Sequence, residues 1–291
     1  MIRTILFLLF AALLSHTSAM SQNTPCRFDE VTLTFAGTAV EQARCLLRPN
    51  AIGGVLGAEL KKLPDPLEKL IGEKVGISRT ELRKFLVRNK LDEMALGGSL
   101  DLHLSHGVRS DGVVMLASYF VIHDTSTPYL KDAEFPPNID SDPTWPGNKL
   151  DIWLKSPVAH VFVNRLGESI TTTPFDEPVK KGFGTKFARD VLKEDAKGTQ
   201  IHIELVQPRR RDPLNSNPTN DRIAPLPGFS IKQYERLALL YLVASVRRSV
   251  WMIPAYHSAV DAGIKGAHDD PQNFELKKFA EELKKLVKRI G

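Results

Sequence analysis

Cysteine is scarce in this chain of 291 residues: there are two, Cys26 and Cys45. Two thiols cannot staple a fold of this size, so a hydrophobic core must carry most of its stability. Long apolar runs are also missing after Leu14. One later run, Leu237 to Ala244, is bounded by Arg236 and by Arg247 and Arg248. A membrane-spanning helix takes about 20 apolar residues, so a polytopic membrane protein is excluded and no stable membrane insertion is expected. No basic stretch is interleaved with stacking aromatics. The 39 Lys and Arg are diluted by 34 Asp and Glu, for a net charge of +5, which argues against nucleic acid as a partner. The chain has no Gly-rich phosphate loop, no His-Glu-x-x-His, no Cys-x-x-Cys and no Gly-x-Ser-x-Gly. Nucleotide chemistry and the mechanisms those motifs anchor therefore lack sequence support. What remains is an ordinary globular composition, 42% hydrophobic and 25% charged. The length suits one large domain, or a domain with a smaller extension.

The first nineteen residues have the form of an export signal. Arg3 gives a positive start, Ile5 to Leu14 is an unbroken apolar run, and Thr17-Ser18-Ala19 offers small residues to a peptidase. The reading is a signal peptide over 1–19 and an exported mature chain, periplasmic or secreted. An oxidising compartment favours a Cys26–Cys45 disulfide. Closing a loop of that length stabilises by roughly 3 kcal/mol.

Residues 20–108 read as a small α+β extension. Glu30 to Phe35 alternates like a short strand, Glu41 to Leu47 is predicted helical, and Ser78 with Glu81 forms a capping-box start for a helix to about Asn89. From residue 109 to the end the texture is that of an α/β domain: a mixed central sheet flanked by helices. Val113 to Ile122 is a near-continuous apolar run, as in a strand buried on both faces, and it stops at His123-Asp124. His160 to Asn164 and Glu168 to Thr172 read as strands joined at Gly167, and Gln200 to Val206 as another. Thr185 to Lys193 suggests a short helix. Ser230 with Gln233 caps a helix to about Arg248. Val250 to Tyr256 is a last strand, broken at Pro254, and Asn273 opens a closing amphipathic helix with Phe279, Leu283 and Val287 on one face. The long polar connection from Pro208 to Gly228 carries Arg209-Arg210-Arg211. That run is either a docking point for carboxylates or a solvated charge cluster. Trp145, in a Pro-rich loop, either lines a sugar groove or plugs the fold.

Ligands of open α/β sheets gather at the carboxyl ends of strands. His123 and His257 each follow such a strand end, and His268-Asp269-Asp270-Pro271 comes shortly after. Two imidazoles and one carboxylate at one sheet edge suit a catalytic Zn2+, with a fourth position left open. In Ile201-His202-Ile203-Glu204-Leu205, alternation puts His202 and Glu204 on the face opposite the three aliphatics. A glutamate there is costly to bury unless it meets a charge or a polar site. It reads either as a general base or as a member of a partly solvated ion pair.

In this order the motifs resemble the zinc N-acetylmuramoyl-L-alanine amidases of the type-2 family, whose fold is shared with peptidoglycan recognition proteins. The resemblance rests on Phe120 to Thr125, Ala159 to Asn164 with Gly167, the strand Ile201 to Leu205, and His257-Ser258 followed by Asp270-Pro271 and Phe274. It covers about Val113 to Leu283 and leaves out the extension. It implies Zn2+ held by His123, His257 and Asp270, with Glu204 as the catalytic glutamate. The implied reaction is hydrolysis of the amide between N-acetylmuramic acid and L-alanine in peptidoglycan or muropeptides. Where the family has a lysine two residues before the ligand aspartate, this chain has His268. That place carries the oxyanion-stabilising role, with Lys265 as the alternative. The His257–Asp270 segment is longer than in the family, so Asp269 and His268 stay open as third ligands. His202 stands where the family has glycine, and near Lys181-Gly182-Phe183-Gly184 the family's Trp-His-x-Gly is replaced. A non-catalytic peptidoglycan-binding module of the same fold is the alternative function.

Overall fold

The computed structural model describes residues 25–53, 55–179 and 184–291. The expected signal peptide, 1–19, and Lys181-Gly182-Phe183 lie outside the described residues.

A five-stranded mixed sheet organises the chain. Its strands are β1 (Tyr119–Asp124), β2 (Val161–Val163), β3 (Ser169–Thr171), β4 (Gln200–Leu205) and β5 (Ile253–Tyr256), in the spatial order β5-β1-β4-β2-β3. All neighbours are parallel except β2 and β3, which form an antiparallel hairpin at the edge. Every residue of β1 is buried, as a central parallel strand covered on both faces requires. Side chains alternate across it. Tyr119 faces the N-terminal segment, where its hydroxyl accepts from Phe35 N (2.8 Å) and donates to Gln42 Oε1 (2.8 Å). Phe120 faces the other way and meets the Tyr241 ring edge-on at 5.3 Å.

Four longer helices supply the covers. Helix α1 (Ala39–Leu46) and α2 (Arg79–Arg88) begin with reciprocal capping boxes, Thr38 with Glu41 and Ser78 with Glu81, which satisfy amides that a helix start leaves open. Helix α3 (Ile231–Arg248) starts with the box Ser230–Gln233 and is buried over most of its surface. Helix α4 (Leu276–Ile290) buries Phe279, Leu283 and Leu286 and packs on α3, with the Phe279 and Tyr241 rings 5.7 Å apart. The N-terminal segment shares this core: Phe35, Leu46, Leu56, Leu86 and Leu104 are contiguous with Ile203 and Leu240. Cys26 and Cys45 are joined by a disulfide, tying the start of the described chain to α1.

Three sequence expectations change. The run Val113 to Ile122 is two strands. Val114–Leu116 pairs with His106–Val108 in a separate ladder, and Ser118, whose amide donates to the Thr199 carbonyl at 2.9 Å, turns the chain into β1. Val113 and Val114 are accordingly exposed. Pro254 lies inside β5 and does not break it. β5 is an edge strand paired only with β1, so a missing N–H on its outer side costs no ladder bond. The expected strand Glu30 to Phe35 is a turn between Phe28–Asp29 and Thr34–Phe35, closed by Asp29 Oδ1, which accepts from Val31 N at 2.8 Å.

Candidate metal centre

Strand register builds the site. Glu204 on β4 lies opposite His123 on β1, and Tyr256 on β5 lies opposite Ile122. His257, one residue on, therefore stands beside His123, at the carboxyl ends of three adjacent strands. The chain makes one helical turn over His257–Val260 and returns with Asp270, whose carbonyl accepts from Ser258 N at 2.9 Å.

The structure brings the predicted trio together. His123 Nδ1 and His257 Nδ1 are 2.9 Å apart, Asp270 Oδ1 is 2.9 Å from His257 Nδ1, and Asp270 Oδ2 is 3.7 Å from His123 Nδ1. All three residues are buried, with their candidate ligand atoms within 4.8 Å of one another. Glu204 Oε1 is 3.9 Å from His123 Nδ1, while its buried Oε2 has no hydrogen-bond partner among the described residues. Two imidazole nitrogens and one carboxylate oxygen form a donor set suited to zinc, and an unpartnered buried carboxylate oxygen beside it suits a group that awaits a proton donor. The residues fit the metal.

Each histidine is also held at its far nitrogen. His257 Nε2 lies 2.9 Å from Asp261 Oδ2. Because a carboxylate only accepts, that nitrogen carries the proton, and in the neutral ring the Nδ1 lone pair is turned to the shared point. Asp261 is itself fixed by the amides of Lys186 (3.1 Å) and Phe187 (2.8 Å). His123 Nε2 meets His202 Nδ1 at 3.0 Å. Asp270 Oδ2 accepts from Asp124 N at 3.2 Å. The Asp124 carboxylate in turn takes Arg209 Nη2 at 2.6 Å and Gln272 N at 2.8 Å.

Without a cation the electrostatics are tense. Burial pushes the Glu204 carboxyl well above its ordinary range, and the Asp270 charge adds to this. Burial disfavours the charged form of His257, yet Asp270 and Asp261 outweigh it and raise that ring to about 10. Burial and then the charge on His257 hold His123 well below the usual histidine value. Burial works against the Asp270 carboxylate, but His257 wins and keeps it well below the ordinary range.

The remaining predicted residues fall as follows. His268 is at the mouth, 60% exposed, with Nδ1 3.7 Å from Asp270 Oδ1. Asp269 is half-buried in the cleft wall, and its Oδ2 accepts from Gly53 N at 2.7 Å. Lys265 is exposed. Neither Asp269 nor His268 belongs to the close buried trio. Arg209, Arg210 and Arg211 pair with Asp124, Glu134 and Asp132 respectively, so the run is occupied internally. Trp145 is buried in a small cluster with Ile139 and Val206. The cleft above the trio is about 610 Å3 and is also walled by Val158, Lys186, Arg189 and Asp221. A groove of about 700 Å3 between α2, α3 and α4 holds none of these residues, so cavity size alone does not find the site.

Sequence reasoning missed Asp261 and the role of Asp124. Asp261 had a signal, since it lies four residues after His257 and so on the same helical face. Asp124 had none, because its partner Arg209 is 85 residues away.

No protein-family model matches the chain, and no curated protein matches it. Among solved structures, one titled as the crystal structure of a selenomethionine AmpD derivative superposes with a TM-score of 0.34 and 17% identity, over 62% of this chain and 91% of that one.

Proposed function

We propose that this chain is a zinc-dependent hydrolase of the amide between N-acetylmuramic acid and L-alanine, acting on peptidoglycan or its fragments after export. The observation that carries the hydrolytic reading is the buried His123–His257–Asp270 trio with the unpartnered Glu204 oxygen beside it. The substrate comes from the sequence resemblance alone.

Zinc held by the trio would supply Lewis acidity, lowering the pKa of a water toward about 7 and polarising the scissile carbonyl. Glu204 accepts the water proton and returns it to the departing amine of L-alanine. The C–N bond breaks as the new C–O bond forms, and the second water proton also ends on the amine, leaving a lactyl carboxylate and an ammonium group. His268, at the cleft mouth, is assigned the donor to the developing oxyanion, where donors are worth most. His123 and Asp270, locked from behind by His202 and by the Asp124 amide, keep their place while charge develops.

One observation favours the second reading, a peptidoglycan-binding module: the oxyanion position holds a mostly exposed histidine in place of a lysine. Mass spectrometry of wall fragments after incubation with zinc-loaded protein separates the two. Release of peptides with a new L-alanine amino terminus supports the hydrolase. Bound but uncut fragments support the module.

A further inference from the structure

His202 is neither a ligand nor the base in the chemistry above, yet it is buried and touches one of the trio. It lies opposite Val121 as Glu204 lies opposite His123, so alternation turns it to the face that carries the site. Its Nδ1 is 3.0 Å from His123 Nε2. Its own backbone N–H donates to His160 Nδ1 at 3.0 Å, and His160 Nε2 donates to the Glu177 carbonyl at 3.1 Å. An amide N–H only donates and a carbonyl only accepts, so His160 is a neutral ring protonated at Nε2. The His160 and His202 rings lie 9° from parallel with centroids 5.8 Å apart. On the opposite edge, a Cβ at Gly184, where φ is +82°, would come 2.8 Å from His202 Nε2. Glycine is what leaves the ring its space.

Two neutral imidazoles that share one hydrogen bond have two arrangements. If His202 Nδ1–H donates, neutral His123 carries its proton on Nδ1 and cannot ligate. If His123 Nε2–H donates, its Nδ1 lone pair is free to face His257 and Asp270. We propose that His202 is a positioning residue: its Nδ1 accepts the His123 Nε2 proton and thereby commits His123 Nδ1 to the ion. This rests on the trio being a metal site. The two histidine ligands are then backed by unlike acceptors, a carboxylate behind His257 and a neutral ring behind His123. Both fix a tautomer, but only the first adds negative charge to the centre.

The test is zinc affinity, by competition with a chromogenic chelator, in the full chain and two variants. His202→Phe keeps ring bulk without the nitrogen, and zinc binding is expected to weaken roughly 10- to 100-fold. His202→Asn places an amide oxygen near the lost Nδ1 and is expected to recover most of the affinity. NMR of the imidazole nitrogens in the zinc-loaded parent needs no variant. It is expected to show the shared proton bonded to His123 Nε2. Equal zinc affinity in His202→Phe, or a proton bonded to His202 Nδ1, overturns the proposal while leaving the metal site intact. A folded parent that takes up no zinc overturns both.

Discussion

At the scale of single residues, Glu204 combines burial, a carboxyl driven toward its neutral form and an oxygen without a partner. A purely structural glutamate in that position would be expected to find a hydrogen bond. Glu204→Gln keeps the shape and removes the base. The variant is expected to retain zinc and to lose roughly 10²- to 10⁴-fold in turnover of muropeptides. Turnover equal to the parent's would remove Glu204 from the mechanism. His257 gives a second prediction, read without substrate. In the ion-free chain Asp270 and Asp261 hold its proton up to about 10, so at pH 7 an arriving cation must displace that proton. Zinc titrations in buffers of different ionisation enthalpy should show release of at least one proton per ion, with affinity falling as pH falls. The sign for stability follows from the same shift. In the chelated protein, the contribution of His257 is complete below its unfolded value of about 6.5 and is lost as pH rises through about 10.

At the scale of elements, β1 links the site to the rest of the fold. Its carboxyl end presents His123, and its amino end presents Tyr119, whose hydroxyl bridges Phe35 and Gln42 of the N-terminal segment. Tyr119→Phe leaves a buried amide unpaired and is expected to destabilise by about 1–3 kcal/mol, measured as a shift in denaturant midpoint. Zinc affinity should hardly change, because the hydroxyl sits at the far end of the strand. Capping and hydrophobic period made this level legible in the sequence: Ser230 with Gln233 opens α3, and Phe279 with Leu283 marks the inner face of α4. Strand boundaries were less so. Val113 to Ile122 is apolar on both sides of Ser118, and the hydrogen bonds of Ala117 and Ser118 divide it. Pro254 signals a break unless the strand is known to be an edge, which is a property of the sheet. The trio was legible as residue types at strand ends. The supporting shell was not, since Asp124 with Arg209 and His123 with His202 meet only through strand order.

At the scale of the whole molecule, the N-terminal segment reaches the residues that flank the candidate metal centre. Asn50 Nδ2 donates to Ser258 Oγ at 2.9 Å and to the Asp269 carbonyl at 2.6 Å, and Gly53 N donates to Asp269 Oδ2. The loop that delivers Asp270 is thus held from outside the sheet. The segment also covers the face of β1 opposite α3, so the site stands on one continuous core. A cation that binds the folded chain and not the unfolded one adds stability by mass action, so loading should raise the melting temperature. The most direct test is the metal content of the purified, folded chain after equilibration with zinc and removal of the excess. About one zinc per chain is expected in the parent, and none retained by Asp270→Ala. A folded parent that retains no zinc, or an Asp270→Ala variant that retains as much, would contradict that expectation.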